Sequence, residues 1–219
     1  MFSRKRPRHV RPDDAPPSPA LAQSLAGDDD VTPEHGPYDV RHAPDGVPRL
    51  DLGSLQIPAV EGVEVRVQAG QDGNIEHVVL VSGAGAVEFG VFAAPRSEGI
   101  WDEVRTEMIK EMGVAKIDAR EVAGVFGTEV VARLPDPQGQ LVDVRYVGVD
   151  GPRWFIKATF QGPVALDPNQ SPVLVECLEG LVVVRDDEPR PVREPLPMRL
   201  TLSQVISMSS GTFFSGLAG

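Results

Sequence analysis

Residues 63–93 contain Val63-Glu64-Val65-Arg66-Val67, then Gly70-Gln71-Asp72-Gly73-Asn74, then a β-branched run from Ile75 to Val81, and finally Ala86-Val87-Glu88-Phe89-Gly90-Val91-Phe92-Ala93. The first run alternates apolar with polar residues, the period-two mark of a strand with one buried face. Residues 70–74 are able to turn, so the first two runs predict a hairpin. The third run adds a further strand and makes a meander.

Beyond this meander, Trp101, Val104, Met108, Ile109 and Met112 recur at helical spacing and form one apolar face. Ser97 is the expected N-cap, with Glu98, Asp102 and Glu103 near the positive end of the dipole, and Gly113 is the expected terminator. Four strands are then predicted at 116–122, 128–134, 141–149 and 153–161, with Asp136-Pro137-Gln138-Gly139 and Asp150-Gly151 as their turns. Ser171-Pro172 supplies a cap and a first-turn proline to a second helix carrying Val173, Leu174, Cys177, Leu178 and Leu181. The order is three strands, helix, four strands, helix. Clustered strands with two packed helices imply an α+β fold on an antiparallel sheet of about six or seven strands.

The flanks differ in composition. Residues 1–12 hold Arg4, Lys5, Arg6, Arg8 and Arg11 and no acid, a net +5 in a chain of net charge −11. Residues 13–49 carry −6 and residues 50–185 carry −9. Pro, Asp, Ala, Ser and Gly dominate from Pro12 to Pro48 without a period, too little apolar surface to offset chain entropy. The reading is a disordered tail over 1–35, first basic and then acidic, one domain over 36–197, and a flexible tail over 198–219. No apolar stretch follows the basic start and no window is long enough to span a membrane, so neither export nor a transmembrane segment is expected. Cys177 has no disulfide partner, which places the chain in a reducing, cytoplasmic setting.

Four segments carry a resemblance: Gly36-Pro37-Tyr38-Asp39, Arg49-Leu50-Asp51-Leu52-Gly53-Ser54-Leu55, the stretch from Phe92 to Arg105, and Gly148-Val149-Asp150-Gly151-Pro152-Arg153-Trp154-Phe155. Over residues 36–197 the chain resembles an actinobacterial family of domains of unknown function. That implies a bacterial cytoplasmic origin and little chemistry. The element order is also similar to the PsbP-like α-β-α sandwich, which implies a non-enzymatic binding or assembly role; fold alone does not fix function.

Catalytic constellations are scarce. His77 is the lone histidine of the predicted strands and helices, Gly-x-Ser-x-Gly is absent, and no Cys pair exists, so no metal or cofactor is expected. Gly83-Ala84-Gly85 lies between two predicted strands and reads as a hairpin loop rather than a phosphate cradle. Cys177 on an apolar helix face reads as inert. Two segments stand out. Arg96, Glu98 and Trp101 sit at a strand-to-helix junction, and Asp150, Arg153 and Trp154 sit at a tight turn. Each reads either as structure, with a buried aromatic, or as a recognition surface, since Arg and Trp are enriched at binding hot spots. If they meet, Arg96 and Arg153 would form a positive spot suited to a carboxylate or phosphate, with Glu98 or Asp150 as a base in an enzymatic version.

The leading reading is therefore a non-catalytic module with a protein partner, nucleic acid being contacted at most weakly through residues 1–12. Five cations neutralise at most five phosphates, so DNA titrations should give log K against log salt a slope no steeper than about −4.5. Deleting residues 1–12 should abolish that binding. Tight, salt-insensitive binding that survives the deletion would contradict the charge argument.

Overall fold

Along Gly85–Ala93 every second residue is buried, with Val87, Phe89, Val91 and Ala93 inside. The computed structural model describes residues 35–70, 74–96, 98–136 and 138–200. In chain order the strands are β1 (Tyr38–Asp39), β2 (Arg49–Asp51), β3 (Leu55–Pro58), β4 (Glu64–Ala69), β5 (Ile75–Ser82), β6 (Gly85–Ala93), β7 (Ala119–Gly124), β8 (Gly127–Pro135), β9 (Leu141–Gly151), β10 (Trp154–Gln161) and β11 (Val182–Val183). The helices are α1 (Trp101–Val114), α2 (Pro163–Leu166) and α3 (Pro172–Glu179).

The seven longer strands form one antiparallel sheet in the order β4-β5-β6-β10-β9-β8-β7. Two meanders thus meet where β6 pairs with β10, from Trp154 opposite Ala93 to Gln161 opposite Ala86. Alternation along β10 sends Ile156, Ala158 and Phe160 to one face and Phe155 to the other. On the first face they pack with Leu174, Cys177 and Leu178 of α3 and with Leu55 and Ile57 of β3. On the second, α1 lays Trp101 against Phe155 and Val130, with Val104, Met108 and Ile109 beside them. Each fully buried large side chain contributes about 1.5–3 kcal/mol relative to exposure.

The α+β fold and the three-plus-four strand grouping agree with the sequence pattern, but several details do not. A second sheet, β1-β11-β3-β2, is built from segments without a legible period. Tyr38 pairs with Val182 in parallel, from opposite ends of the body. The body therefore has four strands and one short helix more than the PsbP-like order implied. Residues 36–48, read within an unstructured stretch, include β1 and a 3-10 turn over Val40–His42. Residues 1–34 and 201–219, read as parts of tails, lie outside the described residues. Met198, assigned by composition to the flexible tail, is 5% exposed and bridges to Gly53.

Helix ends also move. Ser97 lies outside the described residues, and α1 starts four positions later with Ile100 in the cap position. Gly113 does not end α1. The helix closes at Ala115 with Lys116 in the left-handed region at φ 58, Lys116 N–H bonding Gly113 C=O at 3.1 Å and Ile117 N–H bonding Met112 C=O at 2.8 Å. That pair of bonds is the Schellman pattern, here closed by a lysine. Ser171 does precede α3 with Pro172 in its first turn, but its hydroxyl makes no capping bond. The β9–β10 turn is Pro152-Arg153 rather than Asp150-Gly151, because Gly151 is still paired with Trp154. Gly83 and Ala84 form the expected hairpin loop between β5 and β6.

Trp101 decides how α1 sits. Its indole lies directly over Gly148, where any Cβ would overlap the ring. Trp101→Ala should lower unfolding free energy by about 3–5 kcal/mol, and Gly148→Ala by about 1–3 kcal/mol through overpacking. Urea titrations check both. A Trp101→Ala protein as stable as the wild type would remove the ring from its role as the contact that seats α1.

Candidate functional site

The strand-to-helix junction and the β9–β10 turn lie at one end of the large sheet. Ala94 N–H bonds the carbonyl of Arg153 at 3.0 Å, so the turn sits beside Ala94-Pro95-Arg96. Asp150 reaches across to α1, accepting from Ile100 N–H at 2.7 Å and Trp101 N–H at 3.2 Å. A carboxylate from a distant strand thus satisfies the orphan amides of the first turn and matches the dipole. Gly99 permits the approach, since a Cβ there would collide with the Asp150 carboxylate.

Both tryptophans are interior. Trp101 is 5% exposed, donates Nε1–H to Thr128 C=O at 2.7 Å, and stacks on Phe155 with ring centroids 6.0 Å apart. Trp154 is 2% exposed and donates Nε1–H to Asp39 Oδ2 at 3.3 Å. Asp39 also accepts from Arg41, through Nε at 2.8 Å and the backbone N–H at 3.1 Å. Burial raises its carboxyl pKa, but the bonds from Arg41 and Trp154 outweigh burial and hold it below the ordinary 3.8. The stability this group supplies is therefore present above pH 3.8 and is lost as pH falls through its lowered folded value.

Arg96 and Glu98 are exposed. Arg153 occupies the second turn position at φ 66 and places Nη1 3.2 Å from Oδ1 of Asp187, a fully exposed residue. The structure therefore brings Trp101 to Asp150, and Arg153 alongside Ala94, two residues before Arg96. The segment beyond is densely charged. Arg190 pairs with Asp186 at 2.9 Å and Glu188 at 2.7 Å, and Arg193 reaches Glu103 at 3.3 Å and Glu107 at 2.6 Å on α1. The bond from Arg190, set against partial burial, holds the Asp186 carboxyl below its ordinary value. Where the β5 ladder stops at Val78, residues 193–196 take over beside β6, Leu196 N–H bonding Val91 C=O at 2.9 Å.

One arrangement escaped the sequence reading. Glu129 and Arg145 are 2% and 9% exposed, with Nη1 to Oε2 at 2.6 Å. Arg145 also donates Nε–H to Ala165 C=O at 2.7 Å and Nη2–H to Leu166 C=O at 3.1 Å, and Glu129 accepts from Phe126 N–H at 3.2 Å. The pair lines a narrow crevice with Val147, Phe160 and Val164 that has about 10 Å³ of room for water-sized molecules, far below the roughly 300–1,000 Å³ of ordinary ligand sites. Its evident work is to tie α2 to the sheet. Strand alternation sends Glu129 to the face opposite Val130, but only the cross-strand register brings Arg145 to it.

Elsewhere, His77 Nδ1 lies 2.5 Å from Glu88 Oε1 on the sheet face, both partly exposed. Burial, with a smaller contribution from Glu88, raises the Tyr146 hydroxyl pKa. Cys177 is buried, and burial pushes its thiol up to about 12. Among the described residues no three His, Cys, Asp or Glu side chains are placed to hold a metal ion, and no helix is long and apolar enough to cross a membrane.

The family model described as "Protein of unknown function (DUF3710)" matches residues 36–205. The chain belongs to this family. It is also similar, at 14% identity and a TM-score of 0.40, to a crystal structure from Bacteroides thetaiotaomicron VPI-5482. The match covers 72% of this chain and 54% of that one, so the chain spans about half that protein's length. No curated protein matches the sequence.

Removing one partner of the Glu129–Arg145 pair leaves a buried charge uncompensated. Glu129→Ala should cost about 3–5 kcal/mol, and the double variant Glu129→Leu with Arg145→Met should recover most of that loss. Equilibrium unfolding of the three proteins decides it; a double variant no better than the single one would show that the backbone bonds of Arg145, rather than the charge pair, hold α2.

Proposed function

We propose that the chain is a non-catalytic binding module of the bacterial cytoplasm, recognising a protein partner through the sheet end that carries Arg96, Glu98 and Arg153. The observation that carries this reading is the backbone of Arg153. A long side chain at φ 66 sits where Gly or Asn is normally favoured, at a cost of roughly 1–2 kcal/mol. Strain of this kind collects at functional positions, and here it holds out a guanidinium whose carboxylate partner, Asp187, is fully exposed and easily displaced.

Trp101 and Trp154 serve this surface from beneath, fixing the junction and the turn rather than touching a partner. The partner chemistry that fits is a surface carboxylate, which Arg binds in a planar fork. The enzymatic alternative lacks similar support, because Asp150, one of its two candidate bases, already accepts two backbone N–H bonds.

Quantitative pull-down from native extract tests the proposal with four proteins: wild type, Arg96→Glu with Arg153→Glu, Arg153→Gly, and a chain lacking residues 1–12. The double charge reversal should lose the captured partner by tenfold or more, and the truncation should keep it. Arg153→Gly should weaken capture while its melting temperature holds or rises, because the strain is relieved. Undiminished capture by the charge-reversed protein, or loss of the partner only on truncation, would overturn this reading.

A further inference from the structure

The sheet face that carries α2 is open toward its β7 end. Val131 of β8 lies opposite Arg120 of β7 and opposite Arg145 of β9, and Arg133 of β8 lies opposite Asp143 of β9. The ladder runs one residue beyond β7, with Arg133 N–H bonding Asp118 C=O at 3.1 Å, so Asp118 stands in the row of Arg133. Arg145 turns toward α2 through its bond to Ala165 C=O. Alternation therefore turns Asp118, Arg120, Val131, Arg133 and Asp143 to that same side. Together with Leu166 of α2, itself 60% exposed, these side chains line a basin with about 200 Å³ of room. A cavity of about 150 Å³ takes a benzene ring, so a molecule somewhat larger than that fits here.

The charges of the basin are only partly used among themselves. Arg133 and Asp143 form an ion pair at 3.2 Å. Asp118 and Arg120 are both exposed, and among the described residues neither the carboxylate nor the guanidinium has a hydrogen-bond or ion-pair partner. Their spacing does not forbid a mutual pair, since Glu64 and Arg66, likewise two apart on β4, close one at 3.0 Å. Aspartate is one methylene shorter than glutamate, and here the two groups stand open side by side, about 6.6 Å apart along the strand. A lone anion on Arg120 would meet the carboxylates of Asp118 and Asp143. A lone cation on Asp118 would meet the guanidiniums of Arg120 and Arg133. A molecule with one charge of each sign escapes both penalties, and half-buried Val131 with Leu166 offers apolar surface to the rest of it.

We propose that this basin binds a small zwitterion of the α-amino acid class, its carboxylate on Arg120, its ammonium on Asp118 and an aliphatic side chain against Val131 and Leu166. Arginine offers a carboxylate a planar fork, and aspartate accepts charge-assisted bonds from an ammonium. The Arg133–Asp143 pair, neutral as a unit, bounds the site without favouring either sign. The basin shares no residue with the surface of Arg96, Glu98 and Arg153, and its occupancy does not depend on that surface.

The test titrates the isotope-enriched full chain with L-leucine and follows the methyl signals of Val131 and Leu166, with those of Val104 on α1 as the reference that should stay still. The shifts should saturate with leucine. Isocaproate, which lacks the ammonium, and isoamylamine, which lacks the carboxylate, should each bind more weakly by about tenfold or more. Asp118→Asn and Arg120→Gln should each weaken leucine binding by a similar factor with unchanged melting temperature, because both side chains are exposed and unpartnered among the described residues. Leucine shifts that do not saturate up to its solubility limit overturn the proposal. Binding of isocaproate or isoamylamine as tight as that of leucine overturns it too, since the basin would then read a single charge, as does undiminished leucine binding by either variant.

Discussion

The pairing of β6 with β10 is the seam that organises the whole molecule. Neither meander is closed by itself: β4-β5-β6 and β7-β8-β9-β10 each leave one long edge, and joining those edges makes the seven-stranded sheet. The register is set by burial on both faces. Val87, Phe89 and Val91 must share a side with Ile156, Ala158 and Phe160, and Phe92 must share the other with Phe155. A slip of one residue along β10 would turn Ile156, Ala158 and Phe160 away from the main core and Lys157 into it.

From that seam the two coverings arise. On one face α1 is seated by Trp101 over Gly148 and capped by Asp150, so one strand, β9, supplies both the floor and the charge that fix the helix. On the other face, α2 is held by Arg145 of the same strand and α3 by Leu174, Cys177 and Leu178. The candidate surface inherits its shape from these contacts. Arg153 is presented where it is because Trp154 is buried against Asp39 and Gly151 stays paired until the last position of β9. A binding role for Arg96 and Arg153 thus depends on aromatic residues that a partner would never touch.

Among the six candidate residues of the two loops, Trp101 and Trp154 are buried, Asp150 is exposed but spends its carboxylate on the first amides of α1, Arg96 and Glu98 are exposed, and Arg153 is half-buried beside Asp187. The sequence singled out these two loops because tight turns and strand-to-helix junctions concentrate Gly, Pro, Arg and Trp for structural and functional reasons alike. It could not separate those reasons. Whether an indole lies over a glycine or over solvent depends on which strand passes beneath it, and Gly148 lies far along the chain from Trp101.

Local pattern was enough to dictate the long strands, α1 and α3, and hence the α+β class, since period-two and period-3.6 patterns are local and each core-facing residue repeats them. Composition was likewise enough for the acidic body, the basic start and an inert Cys177. The second sheet, the cap from Asp150, the Glu129–Arg145 pair and the left-handed Lys116 and Arg153 emerged only with the folded chain. Strands of two or three residues are too short to show a period, and partners that meet across a sheet are chosen by register rather than by neighbours in the chain. The ends of α1 were set in the same way: a distant carboxylate satisfied its first amides, and a helix ends where its last carbonyls find partners, not at the first glycine.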